Sequence, residues 1–528
     1  MERPPLGPPL PICLSEITAP EVDRAVAKLM NNKAVGEDGI PAEYWKAIFS
    51  SNCEARTWLV SFCNSCWSQQ QVPEEWHLAR VSAIFKKGDP AACGNYRPIS
   101  LLNIGYKVFA SILLSRLQNG GAESRVRISQ FGFRRGLGTE DAIYVARRLI
   151  EHALAWKNGS VALLALDWAR AFDSIDPAGL LRALVRFGVP QYFVDVIAAI
   201  YTQRSFVVSE AGRKSELRMQ EAGISQGCPL SPFLFSILMT VIMHDASEML
   251  KSAGLQVSVV KELCDLLYAD DTLLVGRRGS EVTQFLECVS KVGAEYGLQL
   301  HNDKFQLLCV GNPEKVLNPD GTEIKAKEVM QYLGANLRSD GDAAAELGRR
   351  IGLAEADFIA LSRVWKHSAL SRSRKIELYQ AMVESKLLYG LSTFWLRKAD
   401  KRRLDGFQNR CLRRILNIKP SYVSRVSNLE VLKSGKLVQL STILLRRQLL
   451  HFGKVARSAP EHPLRAATFV GKSMGLRIDF FVRKLGRPRL YLPKEMLRIG
   501  STIIGQGADL EASLRDAADW KSRVWQFR

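Results

Sequence analysis

Histidine is scarce, with 7 in 528 residues, and the ten cysteines are scattered. Only Cys63 and Cys66 form a CxxC pair, in FCNSCW, with no second pair or nearby histidine to complete a zinc site. The segment reads as a helix, so two buried free thiols are expected there. Unpaired cysteines fit a reducing compartment. Long apolar runs are missing as well. The stretch after Pro232 is broken by Ser, Thr and His short of the ~18 residues that a membrane span needs. The amino terminus, MERPPLGPPLPICLSEI, has no basic start leading into an apolar core, so it carries no recognisable secretory or other targeting signal. Acidic residues thin out toward the end: residues 401–528 hold 27 basic and 9 acidic side chains, against 46 and 44 in the rest. Nearly all of the net +20 therefore sits in the last quarter. A basic region on a near-neutral body fits a polyanion partner, most often nucleic acid. A solvating surface is the plain alternative.

What is present can build a sizeable core. Hydrophobic residues make up 47% and charged residues 24%, and the length suits two to four domains. Residues 1–14, rich in proline, are expected to be disordered. Thr18-Ala19-Pro20-Glu21 is a capping box that opens an amphipathic helix. Residues 33–40 are a Gly-punctuated loop before a second helix from Pro41. Val81–Phe85 reads as a short strand, followed by the basic loop KKGDPAACG and a helix reaching about Gln118. The six-residue run VALLAL, Val161–Leu166, fits a buried strand that delivers Asp167 to its carboxyl edge. Residues 177–202 read as helix, 206–224 as a hairpin, 231–250 as an apolar helix. LCDLLYADDTLLVG, residues 263–276, is a hairpin with Ala269-Asp270-Asp271 at its turn. A helix (280–296) and a strand (304–310) follow, and the pattern is helical from about 343, including an amphipathic helix over 371–391. The fold class is α+β, with an all-α remainder.

Asp167, Asp270 and Asp271 each end or turn an apolar strand, where a carboxylate is costly unless paired or bound to a cation. With neighbouring strands about 5 Å apart, the three converge if the strand before Asp167 lies beside the hairpin. Clustered hard oxygens suit Mg²⁺, and two such ions about 3.5–4 Å apart serve phosphoryl transfer. For the Asp pair alone, ordinary turn chemistry is a sufficient reading.

Further motifs change that balance. Tyr268-Ala269-Asp270-Asp271 resembles the polymerase box of reverse transcriptases. Asp167 with Ala171-Phe172-Asp173 resembles the motif before it, and Gln226-Gly227-Cys228-Pro229-Leu230-Ser231-Pro232 the intervening one. Asn95-Tyr96-Arg97-Pro98-Ile99-Ser100-Leu101-Leu102 and Gln130-Phe131-Gly132-Phe133-Arg134 are similar to the fingers motifs of non-LTR (LINE-type) retrotransposon enzymes. Lys33–Ile40 with Pro41-Ala42-Glu43 is similar to their N-terminal signature. The resemblance spans about residues 15 to 340, in the family's order.

The resemblance implies a right-hand polymerase fold of fingers, a palm with an antiparallel sheet and a helical thumb, to which the charge distribution adds a basic, mostly helical C-terminal region. Its parts would be a disordered 1–14, fingers and extension at 15–155, palm at 156–340, thumb at 341–420 and a nucleic-acid-binding region at 421–528. It implies RNA-directed DNA synthesis from a 3′-hydroxyl. The partners would be an RNA template, a DNA primer or target and dNTPs, with no membrane, at an intracellular and finally nuclear site. Asp167, Asp270 and Asp271 would hold two Mg²⁺ ions, with Mn²⁺ as a substitute. Phe172 would be the gate against a ribose 2′-hydroxyl. Gln226 and Gly227 would shape the floor under the nucleotide, and Lys304 would protonate the leaving pyrophosphate. Lys86, Lys87 and Arg97 would meet the triphosphate or template. Tyr332-Leu333-Gly334 resembles the primer-grip region. Arg372, Arg374 and Lys375 at a helix entry, and Arg487 and Arg489 in a basic loop, would grip nucleic acid. Trp168 and Ser236 depart from the residues usual in the family, which bears on substrate fit. A group II intron-type maturase and an inactive nucleic-acid-binding remnant are the alternative readings.

Overall fold

Six aliphatic residues between Ser160 and Asp167 leave the chain little choice but a strand buried on both faces, and Val161–Leu166 is the centre of the main sheet. The computed structural model describes residues 3–51, 53–210, 212–254, 263–311, 313–486, 489–505 and 508–526. Its strands run β1 Leu78–Phe85, β2 Tyr96–Leu101, β3 Val161–Leu166, β4 Ser205–Glu210, β5 Arg213–Lys214, β6 Arg218–Met219, β7 Asp265–Tyr268, β8 Asp271–Gly276, β9 Gln306–Val310, β10 Val329–Tyr332 and β11 Ala335–Arg338. The main sheet is antiparallel in the order β7-β8-β3-β9. A second sheet joins β2, β1 and β4, with β1 and β4 parallel and the short β5 and β6 on β4. The expected α+β class holds, and so does the 206–224 hairpin.

Alternate residues of the main sheet enter two separate cores. Ala162, Leu164, Leu274 and Leu307 pack with the helices on one face, among them Ser231–Ser252 and Gly279–Ala294. Leu163, Leu266, Leu273 and Leu308 pack on the other face with helix Thr139–Ala155 and with Leu449, Phe452, Phe469 and Trp520. Helix Ser231–Ser252 is long and apolar enough for a span by length and composition, contrary to the sequence expectation, but most of it is buried inside the protein. A third core, from Leu347 to Leu444, is built from helices and the turn that carries Phe394 and Leu396, with no strand.

Several expectations are corrected. Residues 1–14 were expected to be disordered, yet residues 3–14 form a packed strap. The Leu6 and Leu10 amides donate to the Arg186 and Gly188 carbonyls at 2.8 and 2.7 Å, and Leu10 and Ile12 are buried. Arg3 pairs with Asp245 and Glu295, both at 2.7 Å. Proline forbids a helix here but pre-sets an extended backbone, which lowers the entropy lost on docking. The 177–202 helix is two, Pro177–Phe187 and Gln191–Tyr201, because Gly188 turns at φ +95° ahead of Pro190. The 371–391 helix is present as a continuous run from Arg372 to Leu388, with one π stretch, Gln380–Glu384, inside it. The third core runs to Leu444, and residues from Leu449 to Val524 cover the second face of the main sheet. Gly453 leaves room for the Trp520 indole, which donates to the Leu449 carbonyl at 2.8 Å. Cys63 and Cys66 are buried as expected, and burial pushes their thiols up to about 12 and about 11.

Candidate active site

The site starts from register. Leu166 of β3 stands opposite Thr272 of β8, so the ladder carries Asp167 to the sheet edge beside Asp271. β7 and β8 pair through Tyr268 and Asp271, with Ala269 and Asp270 as the turn between them. Ala269 sits at φ +57°. The left-handed region costs an L-residue about 1–2 kcal/mol, so this turn is held by its surroundings. Asp167, Asp271 and Lys304 share the wall of a cavity of about 330 Å³, together with Asp303, Lys327 and Tyr332.

Much of the holding comes from residues to which the sequence reading gave no role. Gln130 is fully buried. Its Oε1 accepts from the Ala269 amide at 3.0 Å and the Gly132 amide at 2.9 Å, and its Nε2 donates to the Ala269 carbonyl at 3.4 Å. A side chain on Gly132 would run into the Ala269 nitrogen. Trp168 is buried, and its Nε1 donates to Thr272 Oγ1 at 3.1 Å; Thr272 in turn donates to the Asp270 carbonyl at 3.3 Å. The Trp168 ring fits because Gly293 faces it, where a Cβ would lie 2.7 Å away. Ser236 is also buried, donating to the Pro232 carbonyl at 3.2 Å. The hydrogen bonds of both departures from the family pattern are thus made within the core. The resemblance of the QFGFR segment was the one signal that could have pointed to Gln130.

The carboxylates feel one another. Desolvation by the cleft walls, then the like charges of Asp270 and Asp167, push the Asp271 carboxyl up to about 6. Burial also raises Asp270; the charge of Asp167 adds to this, while its own backbone amide and Arg97 oppose it. Asp167 accepts from Lys304 Nζ at 2.9 Å, an exposed ion pair. Lys304 lies in a short 3₁₀ turn, Asn302–Lys304, rather than at the start of β9. Among the described residues no three His, Cys, Asp or Glu side chains are gathered closely enough to hold an ion as they stand. The expected metal set therefore shares one edge but is not closed around a point, and Lys304 is already paired with Asp167.

The residues expected on the nucleotide side are placed as follows. The Phe172 ring stacks on Phe235, with centroids 4.5 Å apart, and meets Phe133 edge-on at 6.4 Å. Gln226 donates to Asp173 at 3.0 Å, and burial raises the Asp173 carboxyl. Gly227, at φ +137°, lies against the Ser100 carbonyl of β2 with no space for a side chain, the backbone approach that glycine permits. Arg97 and Lys86 are exposed, with Arg97 acting on Asp270 and Lys86 on Asp173. Lys87 is exposed in the loop after β1.

The proposed nucleic-acid grips divide. Arg372 and Arg374 are exposed, Arg374 pairing with Glu377 at 2.8 Å. Lys375 is buried, which corrects its assignment as a phosphate contact: the turn of the helix that exposes Arg374 puts the next residue inward. Arg489 donates to the Asp340 carbonyl at 2.6 Å and so ties its loop to the turn after β11. Arg487 lies outside the described residues.

Comparison with known proteins converges on the same edge. Residues 84–337 match the family described as "Reverse transcriptase (RNA-dependent DNA polymerase)". The chain is 27% identical over 469 residues to the RNA-directed DNA polymerase from mobile element jockey of Drosophila melanogaster, covering 84% of this chain and 49% of that protein. It is 25% identical over 504 residues to the probable RNA-directed DNA polymerase from transposon BS of the same species, covering 92% and 53%. The chain thus spans about half the length of these relatives. The matched span contains all three aspartates, the hairpin that carries two of them and the residues that hold it: over residues 84–337 the chain is similar to the reverse transcriptase domains of non-LTR retrotransposons.

Proposed function

We propose that this chain is the RNA-directed DNA polymerase of a non-LTR retrotransposon, extending a 3′-hydroxyl on an RNA template. The observation that carries this reading is the β3–β8 register with the Ala269-Asp270 turn, which brings three carboxylates to one sheet edge, two of them, Asp167 and Asp271, in the wall of a cavity. In this reading the main sheet is the palm, the β2-β1-β4 sheet belongs to the fingers and the helices from Ala343 to Leu444 are the thumb.

The donor set fits divalent cations, two Mg²⁺ in this reading. Asp167, Asp270 and Asp271 offer hard oxygens, and the last two carry a like-charge burden that a cation relieves. Bound ions of this kind lower the pKa of an attacking hydroxyl and steady the charge on a leaving phosphate. The chain's own residues do the rest. Gln226 and Gly227 form the floor under the base pair, and Phe172 forms a wall beside the sugar. Arg97 and Lys86 draw in the triphosphate. The 3′-hydroxyl gives its proton to solvent, and its oxygen forms a bond to the α-phosphorus as the bond to pyrophosphate breaks. Lys304, once it releases Asp167, gives a proton to the departing pyrophosphate.

The test is extension of a DNA primer on an RNA template with Mg²⁺, beside an Asp270→Asn variant. The wild type should extend and the variant should not, while both bind duplex alike. Undiminished extension by the variant at saturating Mg²⁺ refutes the assignment.

A further inference from the structure

We infer that Gln130 is a positioning residue of the nucleotidyl-transfer site: its buried carboxamide holds the backbone of Ala269 in the left-handed turn that aims Asp270 and Asp271. The inference rests on the polymerase reading above and concerns a side chain that touches no substrate.

Three observations carry it. Both polar atoms of the carboxamide are directed at one turn: Oε1 accepts the Ala269 amide, and Nε2 donates to the Ala269 carbonyl. Gln130 is itself fixed. Its neighbours zip onto β7, with the Phe131 amide donating to the Leu267 carbonyl at 2.8 Å and the Leu267 amide to the Ser129 carbonyl at 2.9 Å. Arg127 then anchors the start of β7 by pairing with Asp265 at 2.5 Å. Finally, the turn needs holding. Ala269 lies at φ +57° and is buried, so without Gln130 its amide would be a strained donor away from water. Gly132 completes the clamp, because any side chain there would push on the same nitrogen. An apolar residue at 130 would leave Ala269 to find another conformation, and the adjacent carboxylates would move with it.

Two variants press on the turn from different sides. Gln130→Met keeps the side-chain length and removes both polar atoms. Gly132→Ala keeps the amide clamp and crowds Ala269. With the full chain, each should lower kcat per active site about 10²-fold, the scale of a 1 Å misplacement, and raise the Mg²⁺ concentration for half-maximal rate. The KM for dNTP and the duplex affinity should stay within about threefold, because neither variant touches those contacts. Amide exchange over residues 266–273 should quicken in Gln130→Met, measured without substrate. A residue that only supports the fold would reduce the fraction of active protein and leave the Mg²⁺ midpoint and kcat per site unchanged; that result, with unchanged exchange at the turn, overturns the inference. A wild type that binds duplex but never extends a primer refutes the polymerase reading, and the exchange measurement then still decides whether Gln130 holds the turn.

Discussion

Removing four exposed charges from the basic helical region should flatten the salt dependence of duplex binding and leave the chemistry intact. Arg410 and Arg414 lie four residues apart on helix Lys398–Leu416, and Lys419 and Arg425 follow it. All four are exposed, and none is in an ion pair among the described residues. Many other basic side chains of this quarter already have work. Arg413 donates to the Lys419 and Val426 carbonyls, Arg465 to those of Gly471, Lys472 and Ser473, and Lys454 pairs with Asp141. Four phosphates at about 0.9 each change the log–log slope by about 3.6 on duplex DNA. Raising salt from about 50 to 200 mM should therefore cost the quadruple glutamine variant on the order of 10²-fold less affinity than the wild type. Fluorescence anisotropy with labelled duplex reads both lines, and a thermal midpoint confirms that the variant is folded. Parallel lines would refute a phosphate grip and leave these charges as a solvating surface. Truncation after Asp400 is a poor substitute, since it strips Leu449, Phe452 and Trp520 from the core behind the main sheet.

Phe172→Val should lower the ratio of dNTP to rNTP incorporation and, by losing the stack on Phe235, cost about 1–2 kcal/mol of stability; an unchanged ratio with a lowered melting temperature makes the ring plain core. Asp271 supplies a pH test in metal-free protein. Its carboxyl is raised from 3.8 to about 6, so the folded state holds the proton more tightly than the unfolded state. Its contribution to stability is full below about 4 and is lost as pH rises through about 6. The melting temperature of Asp271→Asn should therefore gain on that of the wild type between those values, and a constant difference would show that Asp271 titrates normally.

The elements that position chemistry were legible because their signals are local. VALLAL can scarcely be anything but a buried strand, and two apolar runs around Ala269-Asp270-Asp271 make a hairpin. What pairs with what was harder. The β3–β8 register depends on side chains distant in sequence, and the hold of Gln130 on Ala269 spans 139 positions. Composition misled where a residue has two uses. Proline in residues 3–14 excludes regular structure but suits a docked strap, and the arginines counted as a polyanion surface include several that satisfy backbone carbonyls. Lys375 shows the limit of reading charge without a helix phase: it sits next to exposed Arg374 and faces inward.

Helix Leu440–Arg457, 18 residues and about 27 Å long, gives Leu440 and Leu444 to the third core and Leu449, Phe452 and Val455 to the core behind the main sheet. One helix is thus shared by two cores. Melting either core would cost the helix half of its burial, and a helix that loses half of its packing has little stability of its own. The two regions should therefore unfold as a single cooperative transition in calorimetry, with equal calorimetric and van't Hoff enthalpies. A helix-breaking proline near its midpoint, at Arg446 or Arg447, should split that one transition into two.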